Sequence, residues 1–108
     1  MDVELSNVDI ESALKHIRGF RGVTSYDLLP ALNHGEFCVC NTDNILPILD
    51  KPEGGHHWLT VCREGDNVLI FDSFGRALMQ MAEDYKEPEL KQCFLNVYSG
   101  CNLYTNTQ

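Results

Sequence analysis

A histidine and an aspartate at the ends of two apolar runs are the residues of this chain best placed to do chemistry together. His57 precedes Trp58-Leu59-Thr60-Val61-Cys62, and Asp72 closes Val68-Leu69-Ile70-Phe71, with a glycine-containing turn between the runs. Branched and aromatic residues bounded by Gly, Asp and Asn predict two hairpin strands. If the loop is Glu64-Gly65, Arg63 faces Asp66 and His57 lies opposite Asp72. Their Cβ atoms are then about 4.5–5.5 Å apart on one face. The same register puts His56 against Ser73. A three-residue loop moves the partner by one position, and a Gly65-Asp66 loop moves it by two, to Phe74.

A carboxylate that accepts from one imidazole nitrogen fixes the tautomer and supports the imidazolium, while the other nitrogen activates a Ser or Cys. His57 and Asp72 supply these two roles, and Trp58 with its apolar neighbours is expected to bury the pair on one side and hold the ring rigid. A strand-end His beside a surface Asp is also a common structural pair. None of the five cysteines, Cys38, Cys40, Cys62, Cys93 and Cys101, reads as the start of a helix, where a thiolate is stabilised. Buried, inert thiols fit them better. Cys38-x-Cys40 with His56-His57 is not a usual zinc spacing, and adjacent histidines in a strand point to opposite faces, so no metal is expected. His16 and His34 read as solvated, and Arg18 and Arg21 are too few for a basic patch.

The elements that must position this pair are legible to different degrees. Ile10, Ala13, Leu14 and Ile17 recur at helical spacing behind a Ser6-x-x-Asp9 capping box and before Gly19, predicting a helix over Ser6–Arg18. Phe20 to Gly35 reads as irregular, with a helical turn at Tyr26-Asp27-Leu28-Leu29. Glu36 to Asn41 reads as a short buried strand, and Thr42 to Glu53, with Pro47 and Pro52, as a loop feeding His57. Ala77, Leu78, Met81 and Tyr85 predict a second helix, and Leu90 to Leu95 a third beyond Pro88. Val97 to Gln108 is open between strand and irregular tail.

The chain has 108 residues, enough for one domain with a modest core. Its 44% hydrophobic and 22% charged content is that of an ordinary soluble globule. No apolar run approaches a membrane span, and Met1-Asp2-Val3-Glu4 lacks the apolar core of a signal peptide. An intracellular protein with free thiols is expected, an odd cysteine count being a poor disulfide framework. The net charge of −8 opposes binding to a phosphate backbone, so nucleic acid is not an expected partner.

Several of these residues carry a resemblance. Gly22-Val23 to Asp27-Leu28-Leu29-Pro30, Cys40-Asn41-Thr42-Asp43, His57-Trp58 and Phe71-Asp72-Ser73-Phe74-Gly75, in that order, resemble adenain-type cysteine proteases of adenoviruses and of Polinton or Maverick elements. The resemblance spans most of the chain, and the His-Trp and Phe-Asp-Ser-Phe-Gly pair is its most specific part. It implies an α+β, papain-like fold with a central antiparallel hairpin flanked by helices. It also implies a thiol endopeptidase that cleaves viral precursor proteins, inside a virion or infected cell and without a cofactor.

In that family a Gln supplies the oxyanion hole and a Cys-Gly pair opening a helix supplies the nucleophile. Cys101-Asn102-Leu103 to Thr107-Gln108 resembles the stretch leading into that Gln, and Gln108 is either the oxyanion residue or a Gln three positions ahead of it. The expectation is therefore one adenain-like domain over residues 1–108, truncated before its thiol and inactive by itself. Absence of the thiol's helix is expected to leave an apolar cavity or sheet face exposed. Some relatives use DNA as a cofactor, which the acidic balance here does not favour. Ubiquitin-like-protein proteases share the His-Trp, Asp-Ser and Gln…Cys-Gly order, although Gly75 and Asn41-Thr42-Asp43 favour the adenain type. A non-catalytic domain that binds a peptide on the same fold is the third expectation.

Overall fold

The structure is a computed structural model that describes residues 5–43 and 57–107. The first helix, α1 (Asn7–Leu14), begins as its sequence dictates. Ser6 accepts from the backbone N–H of Asp9, and the Asp9 carboxylate accepts from the N–H of Ser6, which satisfies two of the donors left unpaired at a helix start. It ends earlier than the apolar period predicts: Ile10 is buried, but Ile17 is about half exposed. The chain turns after Lys15 to bring Gly19 against Gly35, where Phe37 N–H donates to the Gly19 carbonyl.

Strand β1 (Phe20–Ser25) follows, then a 3₁₀ turn at Tyr26–Leu28. The turn matches the sequence reading, whereas the strand was read as irregular text. The physical reason is Gly22, which has φ +111° and interrupts the alternation where the pairing register shifts between Phe20 and Val23. β2 (Phe37–Asn41), β3 (Trp58–Glu64) and β4 (Asn67–Phe71) form the antiparallel centre of the sheet. The helices α2 (Leu78–Tyr85) and α3 (Leu90–Val97) come next, and β5 (Asn102–Thr105) resolves the open reading of the last segment as a strand. The spatial order is β1-β2-β3-β4-β5, with β1 parallel to β2 and β5 parallel to β4. The described residues thus form an α+β fold with a mixed five-stranded sheet and three α-helices.

The hairpin loop is Gly65-Asp66, with Gly65 at φ +60° and Glu64 facing Asn67. The loop at Glu64-Gly65 and the direct pairing of His57 with Asp72 are therefore corrected by two positions. Glycine takes the positive-φ first loop position at little steric cost, which selects the later loop. An even shift leaves every side chain on its face. Cys38, Cys40, Leu59, Val61, Val68 and Ile70 all pack on one face, against Leu78, Met81, Leu90 and Phe94 of the two later helices. His57 and Asp72 continue this same alternation.

The opposite face is less covered around β4 and β5. Leu69, Phe71 and Tyr104 are each about half exposed there, and Leu69 pairs directly with Tyr104. Among the described residues no helix is long and apolar enough to cross a membrane.

Candidate active site

Strand β4 ends at Phe71, and the chain then turns around Asp72. The Gly75 N–H donates to the Asp72 carbonyl at 2.9 Å, and Gly75 takes φ +68°. This turn is the local reason for an Asp-Ser-Phe-Gly sequence, since a Cβ is disfavoured at the last position. On the other strand, the His57 carbonyl accepts from Thr42 N–H at 2.9 Å, just outside β3. The ring therefore projects from an anchored backbone.

His57 Nε2 and Asp72 Oδ1 lie 2.6 Å apart, and the Asp72 side chain is fully buried while His57 keeps a small exposed fraction. The last pair of the register is Thr60 with Phe71; carried past it, the same register would set Phe74 rather than Asp72 opposite His57, but the chain turns at Asp72, on the same face as His57, and its side chain reaches the ring at the strand end. The pair is thus assembled through a different register from the one expected. Phe74 also reaches His57, with ring centroids 5.2 Å apart, and Tyr85 of α2 stacks on the ring at 6.3 Å and 16°.

Asp72 is held on every side. Oδ2 accepts from the Arg76 backbone N–H and from Arg76 Nε, both at 2.9 Å. Its backbone N–H donates to Asn106 Oδ1 and its carbonyl accepts from Asn106 Nδ2, both at 2.7 Å, so one side-chain amide imitates another rung of pairing beyond β5. Burial opposes ionisation of this carboxyl, but the Arg76 guanidinium and the N–H groups of Arg76 and Phe74 outweigh it and bring the pKa down to about 2. The carboxylate is therefore charged at neutral pH. Arg76 and Asn106 were not singled out from the sequence; the one available signal was an arginine four residues beyond the aspartate, at the start of a helix.

Because Asp72 accepts through Nε2, that nitrogen carries the proton and Nδ1 is left as the basic atom. Ser73 Oγ is 3.5 Å from the same Nε2. A serine nucleophile needs one ring nitrogen and the carboxylate the other, so Ser73 is not arranged as a triad serine.

Cys38, Cys40, Cys62 and Cys93 are not arranged as nucleophiles either. Cys38 and Cys40 are wholly buried, and burial pushes the Cys38 thiol up to about 12 and that of Cys40 well above its ordinary value. Burial also raises Cys62, which lies on the opposite sheet face from His57, and Cys93 on α3. Such thiols stay protonated and unreactive. Among the described residues no three His, Cys, Asp or Glu side chains converge to hold a metal ion.

The expectation that Trp58 buries the pair is corrected: Trp58 projects from the face opposite His57, where its indole N–H donates to the Leu5 carbonyl at 2.9 Å and ties β3 to the start of α1, while Phe74 and Tyr85 lie against the ring. His16 is exposed, and His34 Nδ1 accepts from the Gly65 N–H at 2.8 Å, so His34 supports the hairpin loop. His56 and Gln108 lie outside the described residues, as does most of the segment read as a loop before His57. Compared with models of known protein families and with curated proteins, the chain matches none.

Proposed function

We propose that His57 and Asp72 are the general base and its orienting carboxylate in a thiol endopeptidase of the adenain type, acting on viral precursor proteins within a virion or infected cell. The observation that carries this reading is the 2.6 Å contact from Nε2 to a fully buried, charged Asp72, which leaves Nδ1 to face a reacting group. In the proposed reaction Nδ1 removes the thiol proton and the thiolate attacks the scissile carbonyl. The imidazolium then protonates the leaving amine, and water, activated by the same nitrogen, releases the acyl group. A mixed sheet with helices packed on one face, and the pair at one end of its hairpin, is compatible with a papain-like arrangement.

The 108 residues contain no Cys-Gly pair, so on this reading the thiol is not one of the cysteines described above. The 108-residue chain alone is accordingly expected to cleave nothing. The test reads the coding DNA immediately beyond Gln108 and assays the extended protein. A Gln followed within a few residues by Cys-Gly is expected, together with iodoacetamide-sensitive peptide cleavage. His57→Ala abolishes that cleavage, and Asp72→Asn lowers kcat by about 10²–10⁴-fold. A stop codon at that point, or cleavage that survives His57→Ala, overturns the proposal.

A further inference from the structure

The His57 ring is flanked by one carboxylate and two aromatic rings, and a single residue touches all three. Arg76 donates from Nε to Asp72 Oδ2 at 2.9 Å and from Nη2 to the Tyr85 hydroxyl at 2.7 Å. Its guanidinium carbon lies 5.1 Å from the Phe74 ring centroid and 4.8 Å from that of Tyr85. Phe74 is largely exposed, yet it is held between the guanidinium and the imidazole. We infer that Arg76 is a positioning residue, a clamp that fixes the plane of Asp72 and seats Phe74 and Tyr85 against the ring of His57.

The geometry requires a planar fork. Asp72 gives Oδ1 to His57 and Oδ2 to Arg76, so the carboxylate cannot rotate without losing contacts at both oxygens. The charged and titratable groups facing this cluster are His57 ahead of β3, Asp72 and Arg76 in the turn, and Asp84 and Tyr85 from α2, with neutral Asn106 closing the side beyond β5. A lysine ammonium has three donors but no planar fork, so it can neutralise Asp72 without fixing the plane of the carboxylate or lying flat on both rings.

The test uses the 108-residue chain and nuclear magnetic resonance. In the parent, the Nε2–H proton of His57 is expected as a slowly exchanging resonance, with the Asp72 carboxyl titrating near 2. Arg76→Gln is expected to lose that resonance and move the Asp72 titration to about 4 or above, while the amides of β3 and β4 stay protected. Arg76→Lys, the variant more certain to fold, is expected to keep the low Asp72 titration and still lose the resonance. Retention of the resonance in either folded variant overturns the inference, as does its loss only together with the strand amides. A role in peptide cleavage rests on the proposed function: in the extended protein, Arg76→Lys is expected to lower kcat by about 10²-fold with KM unchanged. If the extended parent cleaves nothing, the endopeptidase reading fails while the resonance still decides the clamp.

Discussion

Asp72 is the residue at which charge and folding are most tightly coupled. Its carboxyl titrates at about 2 in the fold against 3.8 ordinarily, because the Arg76 guanidinium and two backbone N–H groups overcome the cost of burial. A carboxyl lowered by folding contributes stability that is fully present above its ordinary pKa and is lost as pH falls through the folded value. The parent is therefore expected to lose about 2 kcal/mol between pH 4 and pH 2 from this group. Asp72→Asn is expected to be flat from this source over that window and less stable at pH 7, since it leaves Arg76 partly buried beside a neutral amide. Guanidinium unfolding of both proteins at several pH values checks the slope. The identity of this residue was legible in the sequence because an aspartate ending an apolar run stands out. Its partners were not: Arg76 and Asn106 reach it only through side-chain directions and the docking of β5.

At the scale of elements, two glycines with positive φ separate backbone permission from space. Gly65, at φ +60°, has nothing within 4 Å of where a Cβ would stand, so Gly65→Ala is expected to cost only about 1–2 kcal/mol from the left-handed conformation. Gly19, at φ +89°, would place that Cβ 2.4 Å from the Gly35 carbonyl oxygen. Gly19→Ala is therefore expected to cost more than the strain of about 1–3 kcal/mol alone, because the backbone at Gly35 must also move. Urea midpoints of the two variants, measured side by side, decide it. The same contact explains the first helix: its start was written in Ser6 and Asp9, but its end is set by where Gly19 must lie. The hairpin shows the converse. Its strands were legible from alternation, its register was off by two, and the faces survived because a shift of two preserves the pleat.

Across the whole molecule the two faces of the sheet differ in what they contribute. Phe94 is fully buried against the strands, and Phe94→Ala is expected to cost about 3–5 kcal/mol through lost burial and a residual cavity. Phe71, about half exposed on the opposite face, is expected to tolerate Phe71→Ser within about 0.5 kcal/mol. Thermal unfolding of the two variants tests whether the core lies on the α2 and α3 side alone. Such asymmetry suits a site at a strand end: one packed face holds Asp72 dry and rigid, while His57 keeps a small opening to solvent.

The sequence by itself determined the His and Asp, the start of the first helix and the periods of the two later ones, the hairpin strands and the inert character of the buried thiols, because these follow from residue type and short-range periodicity. Only the tertiary structure decided the hairpin register, the parallel edge strands β1 and β5, and the clamp of Arg76 and Asn106 on Asp72. Each of those depends on segments distant in the chain meeting at a particular angle, and no local propensity encodes that angle. His57 finds Asp72 at the strand end through a register that the sequence alone did not choose.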